Sequence, residues 1–501
     1  MSGADAIRSG RPQGCRPHQR YLLEPGQWRA LVVALRDDRA LELLSLWAEP
    51  GFVHAAFHQP NEGVLLASLA VPERSYPALS PVRAGAVRFE RMVRDLWGHQ
   101  AEGAVDLRPW LDHGRWGLAA PMSPRPPAVI TPPPQPEFLP VEGEGVHSIP
   151  VGPIHAGVIE PGHFRFHVQG ETVVRLEARL GYLHKGTLGL MLGKSPRLAA
   201  RFAARLSGDS TVAHSWAFAS AAENAVGLTV PARAVLLRAV AAELERLHNH
   251  LNDIGFVCND ASFAWLHARC GLLREGVLRA AAQGFGHRLM MDLVVPGGVA
   301  RDLAPGGAEA IRAALATVVA ELPGLVKVYE GHASLQDRVV ATGHLMPELA
   351  ARFAVGGHVG RASGRGFDSR KLPGYAPYNT MAFTVPVLEA GDVDARVRIR
   401  IAEVQQSAAL VESLLARLLP GEVKLDFPQA GGEGVGLVEA FRGDALHWVQ
   451  LDDGGLIRAV FMRDQSWLQW PLLEAAIEGN IVADFPLCNK SFNCSYSGVD
   501  L

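Results

Sequence analysis

The distribution of apolar and polar residues divides the chain into a first part rich in strands and a longer, mainly helical second part. In the first part, a helix is expected around Trp28–Trp47, followed by short strands and turns over Gly51–Pro72. Arg88–Trp97 has the periodicity of an amphipathic helix, and Gly98 directly after it is a typical C-terminal residue. The first part is therefore predicted to be a small α+β unit.

The second part opens with short β runs between Gly and Pro turns, over Val151–Gly186, and then becomes helical. Its clearest helix starts at Pro231, a residue that suits a first helical turn. An apolar stripe repeats at spacings of three and four residues at Val240, Leu244, Leu247, Leu251 and Ile254. A polar stripe runs beside it at Glu243, Arg246, His250 and Asp253. Periodicity alone favours a solvated face for this polar stripe over a polar network between packed helices.

A proline-rich run over Pro121–Pro140 marks the clearest boundary, because proline lacks an amide donor and favours an extended spacer. The sequence thus predicts a first domain at 1–120, a linker at 121–140 and a second domain at 141–501. The glycine-rich stretch QAGGEGVG around Gly431 lacks the Lys-Ser/Thr ending of a phosphate-binding loop. We expect it to be an ordinary loop.

Composition narrows the function classes. The chain has 501 residues, 48% hydrophobic and 20% charged, as in ordinary folded proteins. Its net charge of −3 gives no electrostatic reason to expect nucleic acid as a partner. The five cysteines are scattered without a CxxC pair, which favours free thiols in a reducing compartment over a disulfide framework. No signal peptide or membrane-spanning run is expected, so any membrane attachment should come through a partner.

Several motifs resemble known subunits of respiratory complexes. Arg88–Pro109 resembles the signature of the 30-kDa subunit of complex I. Val151–Leu501 resembles the 49-kDa subunit of complex I and the large subunits of group 4 nickel–iron (NiFe) hydrogenases. The segments that carry this second resemblance are VGPIHAGVIEPGHFRF, GYLHKG, ELERLHNHL, PGGVARDL, RASGRGFDSRK, DDGGLIRAVFMRDQS and SYSGVDL. The resemblance implies an α+β protein: a small N-terminal α+β domain, then a large, mainly helical hydrogenase-like domain with a small β region at its start.

The positions that bind nickel in that family carry no cysteine in this chain. The family pattern R-x-C-G-x-C-x-x-A-H-S matches residues 205–215, with Ser207 and Ser210 at the cysteine positions. Alignment of the C-terminus puts Ser495 and Gly498 at the second pair. A serine hydroxyl stays protonated and hard, whereas nickel prefers soft thiolates. Cys494 lies next to one of these positions, but one thiolate cannot replace four. The resemblance therefore implies a chain that binds no metal.

The resemblance also suggests candidate site residues. Glu160 matches the proton-relay glutamate of the hydrogenases, and Asp260 matches the aspartate that pairs with the quinone-site histidine of complex I. His163 is the nearest candidate for that histidine. These three residues are predicted to form a proton or quinone cluster, with a purely structural polar network as the alternative. Further expectations are a cavity wall that includes Arg205, Gly208 and His214, and structural or interface roles for His184, Arg361, Asp368 and Arg370.

The function implied by the resemblance is that of a nickel-free subunit in a membrane-attached, complex I-like respiratory complex. An iron–sulfur cluster is expected in a small partner subunit, and antiporter-like membrane subunits are expected in the same complex, which places the chain on the cytoplasmic face of the membrane. The chain would couple electron arrival to proton chemistry or to a quinone. Two alternatives are a non-catalytic scaffold of such a complex and an active NiFe hydrogenase, against which the replaced ligands argue. Whether the chain is itself an enzyme stays open at this point.

Overall fold

The structure is a computed structural model that describes residues 1–60, 62–129 and 135–501. Five residues of the predicted linker, 130–134, lie outside this part. About 43% of the chain is helical and 19% is in strands, which confirms the α+β class.

The helices are α1 Gly3–Arg8, α2 Pro25–Ala34, α3 Ala86–Trp97, α4 Thr187–Met191, α5 Pro196–Ala203, α6 Thr211–Val226, α7 Ala232–Asp260, α8 Ala264–Phe285, α9 Gly307–Gly331, α10 Ala333–Val339, α11 Pro347–Arg352, α12 Gly357–Ala362, α13 Val393–Ala416, α14 Ser466–Ala476, α15 Phe485–Phe492 and α16 Ser497–Asp500. The strands are β1 Arg11–Gln13, β2 Cys15–Arg16, β3 Arg20–Leu23, β4 Glu42–Glu49, β5 Phe52–Gln59, β6 Gly63–Ala70, β7 Ser75–Pro77, β8 Gln100–Glu102, β9 Val146–Val151, β10 His163–Gln169, β11 Thr172–Arg179, β12 Val294–Val295, β13 Gly298–Val299, β14 Gly432–Ala440, β15 Gly443–Leu451 and β16 Ile457–Arg463.

The N-terminal sheet has the order β1-β3-β6-β5-β4, with β5 and β6 as an antiparallel hairpin. This confirms the short strands predicted after Gly51. Helix α3 ends at Gly98, whose φ of 74° is the left-handed conformation expected of a helix C-terminus. The prediction of one helix around Trp28–Trp47 is wrong beyond Ala34. Residues from Glu42 onward pair with β5 instead, because sheet pairing overrides a weak local helical preference.

A second sheet, β16-β15-β14-β2, joins the two ends of the chain. Strand β2 lies parallel to the start of β14. Arg20 forms a buried ion pair with Glu433, in which Arg20 Nε donates a hydrogen bond to Glu433 Oε1 at a distance of 2.6 Å. The early β region is the sheet β11-β10-β9, as predicted, whereas strands β14–β16 were not predicted from the sequence.

The glycine-rich stretch is a strand from Gly432 onward, so its prediction as a loop is wrong there. Helix α6 lies directly against β14. A Cβ atom on Gly434 would lie 2.2 Å from the carbonyl oxygen of Ala221, and one on Gly436 would lie 2.0 Å from that of Ala217. The glycines are therefore needed for close helix–strand packing rather than for a turn.

Helices α7, α8, α9 and α13 pack together as the core of the helical part. The polar stripe of α7 is buried: Glu243 and His250 are 0% exposed, Arg246 is 1% exposed and Asp253 is 3% exposed. The predicted solvated face is therefore wrong. Arg370, together with Glu403 and Arg400 from α13, supplies partners that periodicity within α7 could not reveal.

Among the described residues, no helix is long and apolar enough to cross a membrane.

Candidate functional site

The candidate site is a cavity of about 320 Å³ where three segments meet. One wall is the loop Val158–Glu160, the second is Ser207–Asp209 at the start of α6, and the third is the C-terminal stretch Asn489–Ser497. Arg442, from the turn between β14 and β15, reaches the cavity from the sheet. Residues far apart in sequence thus share one surface depression.

Of the four positions that correspond to nickel ligands in the family, Ser207 and Ser495 line this cavity, and Ser210 and Gly498 are hydrogen-bonded to lining residues. The hydroxyl groups of Ser207 and Ser495 are 2.7 Å apart and hydrogen-bonded to each other. Ser495 Oγ also accepts the backbone N–H of Gly498 at 2.9 Å. Ser210 Oγ accepts a hydrogen bond from Arg442 at 3.0 Å. The hydroxyls therefore bind each other and their neighbours.

An ion pair that the sequence did not single out lines the same cavity. Arg442 Nη1 donates to Asp209 Oδ1 at 2.7 Å, Nη2 donates to Oδ2, and the hydroxyl of Ser207 donates to the same carboxylate at 2.8 Å. Burial alone would raise the pKa of Asp209, but the Arg442 guanidinium lowers it below its ordinary value. The side chain of Arg442 is 3% exposed and that of Asp209 is 39% exposed. The cavity therefore holds a fixed cation beside an accessible carboxylate.

These residues do not fit a nickel–thiolate centre. Three of the ligand positions offer neutral hydroxyl groups and the fourth, Gly498, offers no side chain. Cys494 is the one thiol that lines the cavity, and burial raises its pKa, which disfavours the thiolate needed as a ligand. The guanidinium of Arg442, bonded to Ser210, adds positive charge where a metal cation would need negative ligands.

Glu160 lines the cavity as predicted, and its Oε2 accepts the backbone N–H of Ser497 at 3.0 Å. Next to it lies Asp500, which sequence reasoning missed. Asp500 is 0% exposed and accepts the N–H groups of Gly181 at 2.7 Å and Leu183 at 2.9 Å. Burial, reinforced by the charge of Glu160, raises the pKa of Asp500 to about 7. The Asp500 carboxyl group can therefore change its protonation state near neutral pH.

The structure does not assemble Glu160, His163 and Asp260 into one cluster. His163 begins β10, its ring lies 5.2 Å from that of Phe138, and Nδ1 is 3.3 Å from the carbonyl oxygen of Gly152. Asp260 ends α7, where burial raises its pKa and the neighbouring Lys490 opposes that rise. Within residues 1–60, 62–129 and 135–501, no hydrogen bond joins any two of the three. Their shared role remains a prediction.

The other candidates are also spread out. Gly208 lines the cavity, whereas Arg205 pairs with Asp292 at the surface, where the arginine side chain is 49% exposed. His214 is fully buried; its Nε2 lies 3.0 Å from Asp464 Oδ2 and its Nδ1 3.0 Å from Nε2 of His447. His184 Nδ1 lies 2.7 Å from the carbonyl oxygen of Asp500, so it fixes the C-terminal segment. Only Gly208 of the three predicted wall residues thus lines the cavity.

Behind the cavity, charged side chains are sealed inside the protein in what we call the ionic cluster. Each of its members is 3% exposed or less. Its carboxyl groups are those of Glu243, Asp253, Asp368, Glu403 and Glu439, and its guanidinium groups are those of Arg246, Arg361, Arg370 and Arg400. Charges buried at this depth must be paired. Arg361, Asp368 and Arg370 of the RASGRGFDSRK motif are therefore interior groups, not surface groups.

Two family models match adjacent stretches of the chain. Residues 185–253 match the nickel-dependent hydrogenase model, and residues 262–431 match the model of the 49-kDa subunit of respiratory-chain NADH dehydrogenase. Together they place the hydrogenase motif around α6 and α7 beside the complex I motif of the later helices.

Curated relatives cover most of the chain. Formate hydrogenlyase subunit 5 of Escherichia coli K12 is 31% identical over 85% of this chain and 77% of its own length. Hydrogenase-4 component G of the same organism is 30% identical over 87% of this chain and 78% of its own length. A chain in the structure of the membrane-bound sulfane sulfur reductase, an archaeal respiratory membrane complex, superposes with a TM-score of 0.67 at 25% identity, over 72% of this chain and 100% of that chain.

Proposed function

Because this chain belongs to the family of group 4 NiFe-hydrogenase large subunits, to which the 49-kDa subunit of complex I is related, we propose that it works without nickel in a membrane-attached, complex I-like respiratory complex. Its relatives by name include a membrane-bound hydrogenase subunit and a chain of a respiratory membrane complex. In this proposal the chain couples electron transfer from an iron–sulfur partner subunit to proton chemistry or to a quinone-type acceptor.

The observation that carries the proposal is the chemistry of the four replaced ligand positions. The hydroxyl groups of Ser207 and Ser495 are hydrogen-bonded to each other at 2.7 Å. Arg442 lines the same cavity and is ion-paired with Asp209. A buried guanidinium keeps its positive charge at every physiological pH. It can therefore stabilise negative charge on a reduced acceptor or on a nearby carboxylate, a task that needs no metal.

Glu160 and Asp500 supply the proton side of the proposed chemistry. Glu160 lies at the cavity wall, and Asp500 lies behind it with a pKa raised to about 7 by burial and by the charge of Glu160. A carboxyl group that titrates near neutrality can both release and accept protons under working conditions. In this arrangement Glu160 exchanges protons with the cavity, and Asp500 binds a proton that it can release.

The remaining parts of the proposal concern assembly. Residues 1–120 would form the 30-kDa-like domain and residues 141–501 the hydrogenase-like domain. A small iron–sulfur subunit would deliver electrons, and antiporter-like membrane subunits would hold the complex at the inner face of the membrane. The fusion would dock both modules together, consistent with the Arg20–Glu433 ion pair between them.

A non-catalytic scaffold is the second candidate, and one observation favours it. The polar groups of Ser495, Ser207, Asp209 and Arg442 are hydrogen-bonded in a row, each to the next, as in a network that stabilises a structure. The two candidates differ in whether the accessible carboxylates at the cavity take part in turnover.

The experiment is purification of the native complex through a tag on this chain, with identification of the subunits and quantification of nickel. We expect an iron–sulfur subunit, membrane subunits and nickel far below one atom per chain. Stoichiometric nickel would overturn the proposal. Proton uptake is then measured when the dithionite-reduced complex receives a water-soluble quinone analogue. Glu160→Gln should abolish coupled uptake, whereas Glu142→Gln, at an exposed residue, serves as the matched control. Unchanged uptake in Glu160→Gln would favour the scaffold.

A further inference from the structure

The ionic cluster contains more acidic groups than basic ones. Five carboxyl groups face four guanidinium groups, and every one of them is buried. Two buried histidines, His250 and His358, do not correct the imbalance, because burial lowers the pKa of both rings and keeps them neutral. A net negative charge sealed from water is costly, so the cluster gains stability by binding a proton.

The three carboxyl groups around Arg361, those of Asp368, Glu403 and Glu439, differ in their contacts. Asp368 faces Arg370 with both oxygens, accepting Nε at 3.0 Å and Nη2 at 2.7 Å. Glu403 accepts Arg361 Nε at 2.8 Å and faces His250 Nε2 at 2.7 Å. Glu439 receives a single guanidinium bond, from Arg361 Nη1 at 2.9 Å. Glu439 is therefore less compensated than either Asp368 or Glu403.

The second oxygen of Glu439 faces Ser369, whose backbone N–H donates at 3.0 Å and whose hydroxyl lies at 3.1 Å. A serine hydroxyl donates to a carboxylate and accepts from a protonated carboxyl group, so both states of Glu439 keep a partner. The other charged or titratable groups that face Glu439 are Asp368, Arg246, Asp444 and Tyr375. Burial, followed by the charge of Asp368, raises the pKa of Glu439 to about 7.

The cluster touches the cavity at two points. Arg246 donates to the carbonyl oxygens of Glu439 at 2.9 Å and Ala440 at 3.0 Å, which fixes the turn that carries Arg442. At the second point, Asn493 Nδ2 donates to Asp253 Oδ1 at 2.9 Å, and the carbonyl oxygen of Asn493 accepts from Arg442 Nε. A change of charge at Glu439 thus reaches the cavity through one backbone turn.

We infer that Glu439, paired with Asp368, is a second proton-binding site of this subunit, linked to the cavity through Arg246 and the turn before Arg442. The link, but not the site itself, rests on the proposed function. When negative charge arrives in the cavity, a hydronium ion of the solvent gives up one proton, which forms an O–H bond with Glu439 Oε2, and this O–H group donates to Ser369 Oγ. The bond that breaks is an O–H bond of the hydronium ion, and the cluster then carries one negative charge fewer.

The test is infrared spectroscopy of the purified full chain across pH 5–9. A protonated carboxyl group absorbs at a higher carbonyl frequency than a carboxylate. We expect a protonated-carboxyl band that titrates near neutrality, shifts when glutamate carries a ¹³C-labelled side-chain carboxyl group, and disappears in Glu439→Gln. It should persist in Glu160→Gln and in the Asp500→Asn variant, because those groups belong to the cavity. Asp500, whose pKa is also raised to about 7, contributes a separate component that shifts only with labelled aspartate. A component sensitive to labelled glutamate that keeps its full intensity in Glu439→Gln would overturn the assignment.

Two measurements separate this inference from the proposed function. If Glu439→Gln fails to fold, the isotope shift in the unmodified chain identifies a glutamate, and persistence of the band in Glu245→Gln excludes the other buried glutamate whose pKa burial raises close to neutrality, to about 8. In the intact complex, reduction by dithionite should add one protonated-carboxyl signal in the unmodified protein and none in Glu439→Gln. A titrating band without that redox-linked signal would overturn the link to the cavity and leave the site intact. Absence of the band at all pH values would overturn the site, whatever the complex does.

Discussion

Glu403 and Glu439 offer a matched pair of substitutions, because both carboxyl groups bind the guanidinium of Arg361 and both are 1% exposed. Replacement by glutamine keeps the shape of each side chain and removes its charge. If Glu439 is protonated near neutral pH, glutamine imitates its state, whereas Glu403 is ionised and glutamine removes a needed charge. The two variants should therefore differ sharply in stability.

The magnitude follows from the pKa directions. Burial and Asp368 raise the pKa of Glu439 from 4.5 to about 7. Its protonated form therefore stabilises the folded state below pH 4.5, and that contribution is lost as the pH rises through about 7. The difference corresponds to about 3 kcal/mol of unfolding free energy between pH 4.5 and pH 8, at about 1.4 kcal/mol for each pH unit. Glu439→Gln should remove this pH dependence.

The contribution of Glu403 to stability changes with pH in the opposite direction. Burial would raise its pKa, but Arg361 and the hydrogen bond to His250 lower it well below the ordinary value. Its contribution is present above pH 4.5 and is lost as the pH falls. Glu403→Gln leaves Arg361 and its neighbours with uncompensated charge, which typically costs roughly 3–5 kcal/mol for a buried pair.

The assay is urea unfolding of the purified chain at pH 5.5 and pH 8, followed by far-ultraviolet circular dichroism. At pH 8, Glu403→Gln should unfold at clearly lower urea than Glu439→Gln. The unmodified chain should lose stability between pH 5.5 and pH 8 by more than Glu439→Gln does. Equal destabilisation by the two substitutions at pH 8, or an unchanged pH slope in Glu439→Gln, would refute the reasoning.

Three further predictions test the packing and the ion pairs. Gly434→Val should destabilise the chain by about 3 kcal/mol or more, since a Cβ there would lie 2.2 Å from a carbonyl oxygen of α6. The control is Gly276→Ala, at a helical glycine with open space around it, which should be neutral or stabilising by up to about 1 kcal/mol in the same urea assay. Arg20→Met should lower the unfolding free energy by roughly 3 kcal/mol, because it leaves the buried Glu433 carboxylate without its cation. Adding Glu433→Gln should recover much of that loss in a double-mutant cycle, and additive effects of the two substitutions would contradict the ion pair. Arg442→Gln should raise the pKa of Asp209, seen as a shift in its ¹³C carboxyl titration; an unchanged titration would contradict the Asp209–Arg442 ion pair.

Part of the candidate site could be predicted from sequence. Ser207, Ser210, Ser495 and Gly498 were identified from motif spacing; in the structure Ser207 and Ser495 line the cavity, and Ser210 and Gly498 are hydrogen-bonded to lining residues. The cluster of Glu160, His163 and Asp260 remains a prediction, because motif alignment fixes residue types and not distances between loops. Arg442 lies outside the quoted motifs, and Asp500 lies within SYSGVDL but was not identified as a site residue. Their importance comes from what lies beside them in space.

The sequence by itself determined the family, the absence of thiols at the ligand positions and the strongest local elements, such as α3 with its terminal Gly98 and the long helix α7. These features depend on neighbours within a few residues or on side-chain chemistry alone. Tertiary structure decided that the polar stripe of α7 is buried against arginine side chains and is not exposed to water. It also decided that the glycines near residue 434 form a strand packed against α6 and not a loop. Burial and charge pairing depend on residues that are distant in the chain, so only the folded arrangement can supply them.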